Sequence, residues 1–407
     1  MLKPARQRVI LAFAGIAAMA QVSCAQPEAS LVWTQDLKAW IDERVEEKRL
    51  EYKVPSISLV VISGDRRVLS KAYGVKDVRT GEPATTDTVY QIASITKTFV
   101  GALAAKLTVE GVVDLDAPIT RYAPDLVFHE TARSSPVTLR LLLSHQSGLP
   151  TNPVNRRNVT VPGLPENFDP TIAAPYTKAD LLEGLAATPS RYDVGERYHY
   201  SNFGMHLAGY VLAKAAGAEN FAQALDRHVL QPLDMGDTFI RTSPARDAQM
   251  ATPYAYTDDE YYKVFPIGTR AYFEIPAWTF GDITGGVGLS STAVDLSKYI
   301  MELMNADAAS SPFRREMVDL MLRTNAEFVM KDELVYEIGL AWRKMAFGRY
   351  GAVYSHGGHN DGHHGFVLFS RDRKLAVIEL TNGAHTANRS LATEIMLKLM
   401  QSSGGEG

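Results

Sequence analysis

The stretch Ser94-Ile95-Thr96-Lys97 carries the first chemical signal, because no other serine in the chain is followed by a lysine three residues later. On a helix, positions i and i+3 share a face about 4.5 Å apart along the axis, so the Ser94 hydroxyl and the Lys97 amine come within reach of each other. A serine hydroxyl is a weak nucleophile near neutral pH. A lysine held among apolar or other cationic groups binds its proton less tightly and can accept one, which gives the pair the make-up of a nucleophile and its base. A helix starting near Ser94 adds unpaired backbone N–H groups and the positive end of its dipole, both favouring the oxyanion formed when the hydroxyl attacks a carbonyl. The same letters also describe an ordinary helix start with an exposed lysine.

Two further clusters could complete such a site. In Tyr200-Ser201-Asn202 the phenol and the amide are two residues apart and can point the same way. A phenol beside an ammonium holds its proton less tightly, so Tyr200 could relay the Ser94 proton to a leaving group while the Asn202 amide holds a substrate carbonyl. The alternative is a helix cap at Ser201 or Asn202 with a core tyrosine. The third cluster, His356-Gly357-Gly358 within SHGGHNDGHHGFVLF, places four histidines within nine positions. Its glycines, Gly358 included, let a strand edge approach a ligand, a backbone N–H beside them could complete an oxyanion hole, and His356 would supply a polar or cationic head. His356, His359, Asp361, His363 and His364 include zinc-ligand types, but their spacing matches no helical metal motif and Gly362 and Gly365 point to a turn, so no metal is assigned.

The elements that must position these groups follow from periodicity. Leu37, Ile41, Val45 and Leu50 predict a helix over 34–50, SISLVVIS (56–63) and Val68 to Gly74 a hairpin around Gly64-Asp65, and Phe99, Leu103 and Leu107 a helix from near Ser94 to Gly111. Helices are predicted at 178–187, 202–216, about 292–305 and about 387–400, and strands at 367–370 and 374–381. The proline-rich stretch from Thr151 to Pro175 resists regular structure and reads equally as a binding wall or a surface excursion. The aromatic piece from Tyr254 to Phe280, with Tyr261, Tyr262, Phe265, Tyr272, Phe273 and Trp278, reads as a pocket wall or as core. Strands near both ends with helices between them predict an α+β fold, one sheet built from distant segments with a helical region inserted. The domain spans 26–402, with the sheet half at about 34–115 and 285–402, the inserted region at about 116–284, and a disordered tail at 403–407.

Composition narrows the function classes. With 407 residues, 46% hydrophobic and 22% charged, the chain can bury a large core and is not compositionally disordered. A net charge of −4 with no long basic run argues against nucleic acid as a partner. Lys3, Arg6 and Arg8 precede a short apolar stretch, Val9 to Ala20, and the small-x-small sites Ala18-Met19-Ala20 and Ser23-Cys24-Ala25, the shape of a secretory signal cleaved after Ala25. Removing those three cations takes 42 basic side chains to 39 against 46 acidic, and the net charge from −4 to −7. The mature chain is expected in the periplasm or secreted, with no cysteine and no transmembrane segment. Lipidation at Cys24 is the competing reading, opposed by Gln21 where an apolar residue is usual.

Ser94-x-x-Lys97, Tyr200-x-Asn202 and His356-Gly-Gly in this order resemble the serine beta-lactamase and penicillin-binding protein superfamily, in its class C beta-lactamase-like branch. LLLSHQSGLP (141–150) and GGVGLSST (285–292) ahead of Asp295 are similar too, and the resemblance covers roughly residues 35–400. It implies a beta-lactamase/transpeptidase-like fold, an antiparallel sheet flanked by helices, with the site between sheet and helical region. It also implies acyl transfer without a cofactor. In that chemistry Ser94 is acylated, Lys97 and Tyr200 share the acid and base work, Asn202 contacts the substrate amide, His356 fills the third motif, and the backbone N–H groups of Ser94 and His359 form the oxyanion hole. The departure is His356 where lysine stands in beta-lactamases: histidine is mostly neutral at pH 7 unless a carboxylate raises its pKa, so firm capture of an anionic substrate is less assured. The expected activity is hydrolysis of esters, or of amides of small or D-amino-acid-containing substrates, before strong beta-lactam hydrolysis. A non-hydrolytic penicillin-binding or sensing protein and a metallohydrolase stand as alternatives.

Overall fold

The segment SISLVVIS lacks polar alternation, and the computed structural model of the chain shows why: strand β1 (Ser56–Ser63) is covered on both faces. Successive side chains of a strand point to opposite sides. Val60 and Ile62 therefore enter one apolar core, and Ile57, Leu59 and Val61 a second. The structure describes residues 31–403 apart from 32, 52, 133–135, 158–174, 241–243, 257–271, 275–276, 278–279, 282–283, 307–310, 330–334 and 384–387. The expected export signal, residues 404–407 of the expected tail and most of the Thr151–Pro175 stretch lie outside the described residues.

Helix α1 (Gln35–Glu51) precedes β1, which turns back into β2 (Arg66–Asp77) and the short β3 (Glu82–Pro83) and β4 (Tyr90–Gln91). A 3-10 turn over Ala93–Ile95 leads into α2 (Thr96–Val109). The helical region follows with α3 (Leu139–Leu143), α4 (Lys178–Ala187), α5 (Asn202–Ala215) and α6 (Phe221–Leu225), together with β5 (Phe239–Ile240), β6 (Tyr254–Tyr256) and β7 (Tyr272–Glu274). Next come β8 (Leu289–Ser291), α7 (Ala293–Asn305), α8 (Arg315–Leu322), β9 (Ala326–Val329), β10 (Val335–Ile338) and β11 (Arg343–Ala346). β12 (Ala352–His359), β13 (His364–Ser370), β14 (Leu375–Thr381) and α9 (Asn388–Ser403) complete the chain.

Nine strands form one antiparallel sheet in the order β3-β2-β1-β14-β13-β12-β11-β10-β9. The two ends of the chain meet in its middle, where β1 pairs with β14 from Ile57↔Thr381 to Ser63↔Leu375. Helices α1 and α9 cover one face through Ile41, Val45, Ile395 and Leu399. On the other face α2, α5, α7 and α8 share the larger core, centred on Phe99, Leu103, Phe203, Tyr299 and Trp342. Each such side chain contributes about 1.5–3 kcal/mol on full burial. A small sheet of order β4-β8-β5 pins the segment around Ser94: the Ile92 N–H donates to the Leu289 carbonyl at 2.9 Å, and the Leu289 N–H to Thr96 Oγ1 at 3.0 Å.

The α+β class and antiparallel sheet are as expected. Three local readings change. The helix expected from near Ser94 starts at Thr96, with Ser94 in the tighter turn before it. The hairpin's second strand runs well beyond Val68–Gly74 at both ends. Helix α9 reaches Ser403, one residue into the expected tail. Strands β9 to β11 and helix α8 have no counterpart in the sequence reading; four-residue strands such as AEFV carry too few alternations to register.

One buried charge-capable group departs from the apolar pattern. Glu379 on β14 is fully buried with neither carboxylate oxygen hydrogen-bonded to a side chain, and burial pushes its pKa well above the usual range. A folded-state pKa raised above the unfolded value gives stability that is present at low pH and lost as pH rises. The melting-temperature gain of Glu379→Gln over wild type, measured by calorimetry, is expected to grow from pH 5 to pH 8; a gain constant with pH would show that Glu379 does not titrate this way.

Candidate active site

Ser94 stands on a turn held in an uncommon backbone conformation. The preceding residue, Ala93, has φ +43°, in a region that costs a non-glycine residue on the order of 1–2 kcal/mol. The pins to Leu289 and the Ile95 N–H to Ile92 carbonyl bond at 3.1 Å hold it there. β12 closes on the turn from the other side. A Cβ at Gly358 would lie 2.0 Å from the Ile92 oxygen and 3.2 Å from the Ser94 nitrogen, so only glycine lets the strand sit so close. Ser94 itself opens onto a cavity of about 330 Å³.

Lys97, on the first turn of α2, is fully buried. Its Nζ lies 2.9 Å from Ser94 Oγ and donates to the Gly286 carbonyl at 2.5 Å. The Gly286 peptide is held in turn by His206, whose Nδ1 accepts the Gly286 N–H at 3.4 Å. Burial, and secondarily the Arg343 charge, hold the Lys97 pKa well below that of a free lysine. The exposed-lysine alternative is therefore closed, and the amine is driven towards the neutral, proton-accepting form.

Tyr200 approaches from the opposite side and donates its hydroxyl to Ser94 Oγ at 2.9 Å, with its ring centroid 4.9 Å from Lys97 Nζ. The segment 144–151 fixes it. The His145 ring lies 4.5 Å from the Tyr200 ring, His145 Nδ1 accepts the Ser201 N–H at 3.2 Å, and its carbonyl accepts the His199 N–H at 2.7 Å. Burial first, then the Lys97 charge, keep the His145 pKa well below the ordinary histidine value, so the ring can serve as an acceptor. Ser201 caps α5, accepting the Gly204 N–H at 2.8 Å. The cap reading thus holds for Ser201 while its neighbour Tyr200 reaches the nucleophile.

Asn202 lines the cavity, but its amide N–H is taken by Asn152 Oδ1 at 3.4 Å, leaving Oδ1 buried and without a protein partner. An amide carries two N–H donors, so this contact leaves one for the expected role. His356 differs from its expected role. It is buried in β12, its Nδ1 lies 2.8 Å from the Gly357 carbonyl, and burial, then Arg343 and Lys97, push its pKa well below normal. Among the described residues no carboxylate offsets the burial of His356, which disfavours its cationic form. Neither His356 nor Gly358 lines the cavity; both lie behind it, and Gly358 meets the Ser94 turn. His359 does line it, as does Ser94, so the two residues assigned the oxyanion N–H groups share one wall.

The remaining histidines of the cluster have other duties. His363 is buried against the Ala251 carbonyl at 3.1 Å and its pKa is lowered to about 4, chiefly by burial. The His359 and His364 rings are 5.9 Å apart, and among the described residues no three metal-ligand types converge. Parts of the proline-rich stretch, Asn152 to Arg157 with Pro175 and Tyr176, form one side of the cavity. Of the aromatic piece, Tyr261, Tyr262, Phe265 and Trp278 lie outside the described residues, and Tyr272 and Phe273 are placed only by their backbone in β7. Sequence reasoning missed His206, Asn152 and Arg343 entirely; each is a single polar residue in a stretch with no repeating pattern to mark it. His145 and Gly286 were visible only inside stretches that carried a family resemblance.

The beta-lactamase family profile matches residues 37–400. The chain belongs to that family of serine hydrolases. Among its relatives, protein flp of Staphylococcus aureus (strain MW2) is 25% identical over 221 residues, 54% of this chain and 42% of flp. Esterase EstB of Burkholderia gladioli is 30% identical over 244 residues, 59% of this chain and 58% of EstB. The chain therefore spans about half the length of these relatives. Of solved structures, the octameric penicillin-binding protein homologue from Pyrococcus abyssi superposes with a TM-score of 0.70 at 23% identity, over 89% of this chain and 77% of that one. D-alanine carboxypeptidase AmpC from Burkholderia cenocepacia gives 0.68 at 19% identity, over 89% and 99%. At these identities the structural likeness establishes the fold.

The Gly358 contact gives a direct test of how the nucleophile is placed. Gly358→Ala is expected to cost about 1–3 kcal/mol of stability through overpacking and to slow covalent labelling of Ser94 by a fluorophosphonate, read by intact-protein mass spectrometry. Wild-type labelling kinetics in this variant would show that β12 does not hold the turn.

Proposed function

We propose that the protein is an exported serine hydrolase that cleaves esters, or amides of small or D-amino-acid-containing substrates, through a covalent acyl-enzyme. The observation that carries this reading is Ser94 Oγ lying 2.9 Å from both Lys97 Nζ and Tyr200 Oη at the edge of a cavity. Attack forms the bond from Ser94 Oγ to the substrate carbonyl carbon while the serine proton passes to the Lys97/Tyr200 pair. The bond to the leaving oxygen or nitrogen then breaks, and that atom takes the proton from the pair. Water next adds to the acyl carbon, yields a proton to the same pair, and the acid departs as Ser94 recovers its hydrogen. The Ser94 and His359 backbone N–H groups would hold the oxyanion in both steps.

Two features favour neutral substrates. The third-motif side chain, His356, is neutral and buried, so it offers no fixed charge to a substrate anion, which favours esters over beta-lactams. Asn202 lines the cavity, and its second amide N–H would donate to the carbonyl of a substrate amide. A relative whose name is esterase and a fold neighbour named a D-alanine carboxypeptidase support both bond types. Export rests on the first 25 residues, and sequencing the N-terminus of the protein recovered from outside the cytoplasm is expected to begin at Gln26.

The test is parallel turnover of short p-nitrophenyl esters, D-Ala-p-nitroanilide, a D-Ala-D-Ala peptide and nitrocefin by wild type and Ser94→Ala. Ester hydrolysis is expected to lead and to fall by about 10³-fold or more in Ser94→Ala, with Tyr200→Phe losing roughly 10²–10⁴-fold. Because Lys97 acts in its neutral form, kcat/KM should rise with pH and level off well below the range of a free lysine. Turnover that survives Ser94→Ala overturns the mechanism, and a Ser94 adduct that never hydrolyses would assign a binding or sensing role instead.

A further inference from the structure

Arg343 opens β11, paired with Ser355, the residue before His356. Its guanidinium lies 5.8 Å from the centre of the Tyr200 ring, and its charge acts on Tyr198, two residues earlier in the same segment. Its Nε is buried with no hydrogen-bond partner, and among the described residues no carboxylate pairs with it. A guanidinium keeps its charge throughout the working pH range. An unpaired cation beside a catalytic phenol is costly for folding alone, since a carboxylate or an apolar residue would satisfy the position better.

We propose that Arg343 is a positioning residue for the acyl-transfer chemistry: a fixed cation beside Tyr200, holding the Tyr198–Tyr200 segment and favouring negative charge where the Ser94 proton leaves. The inference rests on the hydrolase reading above. The groups facing Lys97 are Arg343 from β11, His356 from β12, His145 from the 144–151 segment, Tyr200 at the start of α5, Ser94 on its own turn, and the Gly286 carbonyl, which is backed by His206. Burial lowers the pKa of Lys97, His145 and His356, and the Arg343 charge adds to it in all three.

The sign follows from repulsion between like charges. Removing the guanidinium lets Lys97 keep its proton to higher pH, so the acid limb of activity must move upward. In kcat/KM profiles on a p-nitrophenyl ester from pH 5 to pH 10, R343Q is expected to shift that limb up by about one unit and to lose about tenfold at neutral pH. R343K should keep the limb near its wild-type position. Tyr198→Phe, which removes only a hydroxyl that interacts with the guanidinium, should shift it the same way by a smaller step, and it decides the matter if R343Q does not fold. A limb unmoved in both R343Q and Tyr198→Phe, or moved equally in R343K and R343Q, overturns the proposal, whatever the loss in rate. Absence of any Ser94-dependent turnover in wild type overturns the hydrolase reading and this one with it; Ser94-dependent turnover with an unmoved limb overturns this one alone.

Discussion

A lysine amine with no carboxylate beside it among the described residues, enclosed among a buried helix, a glycine turn and two neutral histidines, is the constraint around which this molecule is arranged. Burying an unpaired ammonium costs several kcal/mol, and a protein escapes that cost by releasing the proton. The described residues supply a carbonyl, a hydroxyl and no anion around Lys97, which suits an amine and not an ammonium.

The groups that surround this amine come from parts of the chain far apart in sequence, and each is held by its backbone before its side chain is considered. The Ser94 turn is pinned by Leu289 and pressed by Gly358. Tyr200 is fixed by main-chain bonds to His145 and by the Thr151 hydroxyl donating to its carbonyl at 3.0 Å. Gly286 presents a carbonyl rather than a side chain. Such anchoring limits rotation of the reacting groups, and preorganisation of this kind supports acyl transfer without movement of charge-stabilising groups during the reaction.

What could be read from the letters follows the physics of each signal. Helices α4 and α5 were predicted to within a residue because Thr177 and Ser201 are N-caps and long apolar faces follow them. β1 was legible as an uninterrupted β-branched run, and Ser94 with Lys97 as a local spacing that the 3-10 turn keeps even though the α-helix starts later. Local spacing could not reveal that His356 lies behind the cavity, because strand parity and burial decide which way a side chain faces, and these depend on partners such as Val367. Nor could it show that Asn202 is turned by Asn152, or that Arg343 stands beside Tyr200: such pairings across the fold have no periodicity for a single sequence to display.

The pairing of β1 with β14 bears on how the protein is made. Strand β1 has as its central neighbour a strand far along the sequence, with Ile57 opposite Thr381. Contacts of such long sequence separation slow folding, because loop closure must be completed before the sheet rewards it. The middle of the sheet therefore waits on a distant strand, and without β14 the apolar strand SISLVVIS has β2 beside it and α1 on one face.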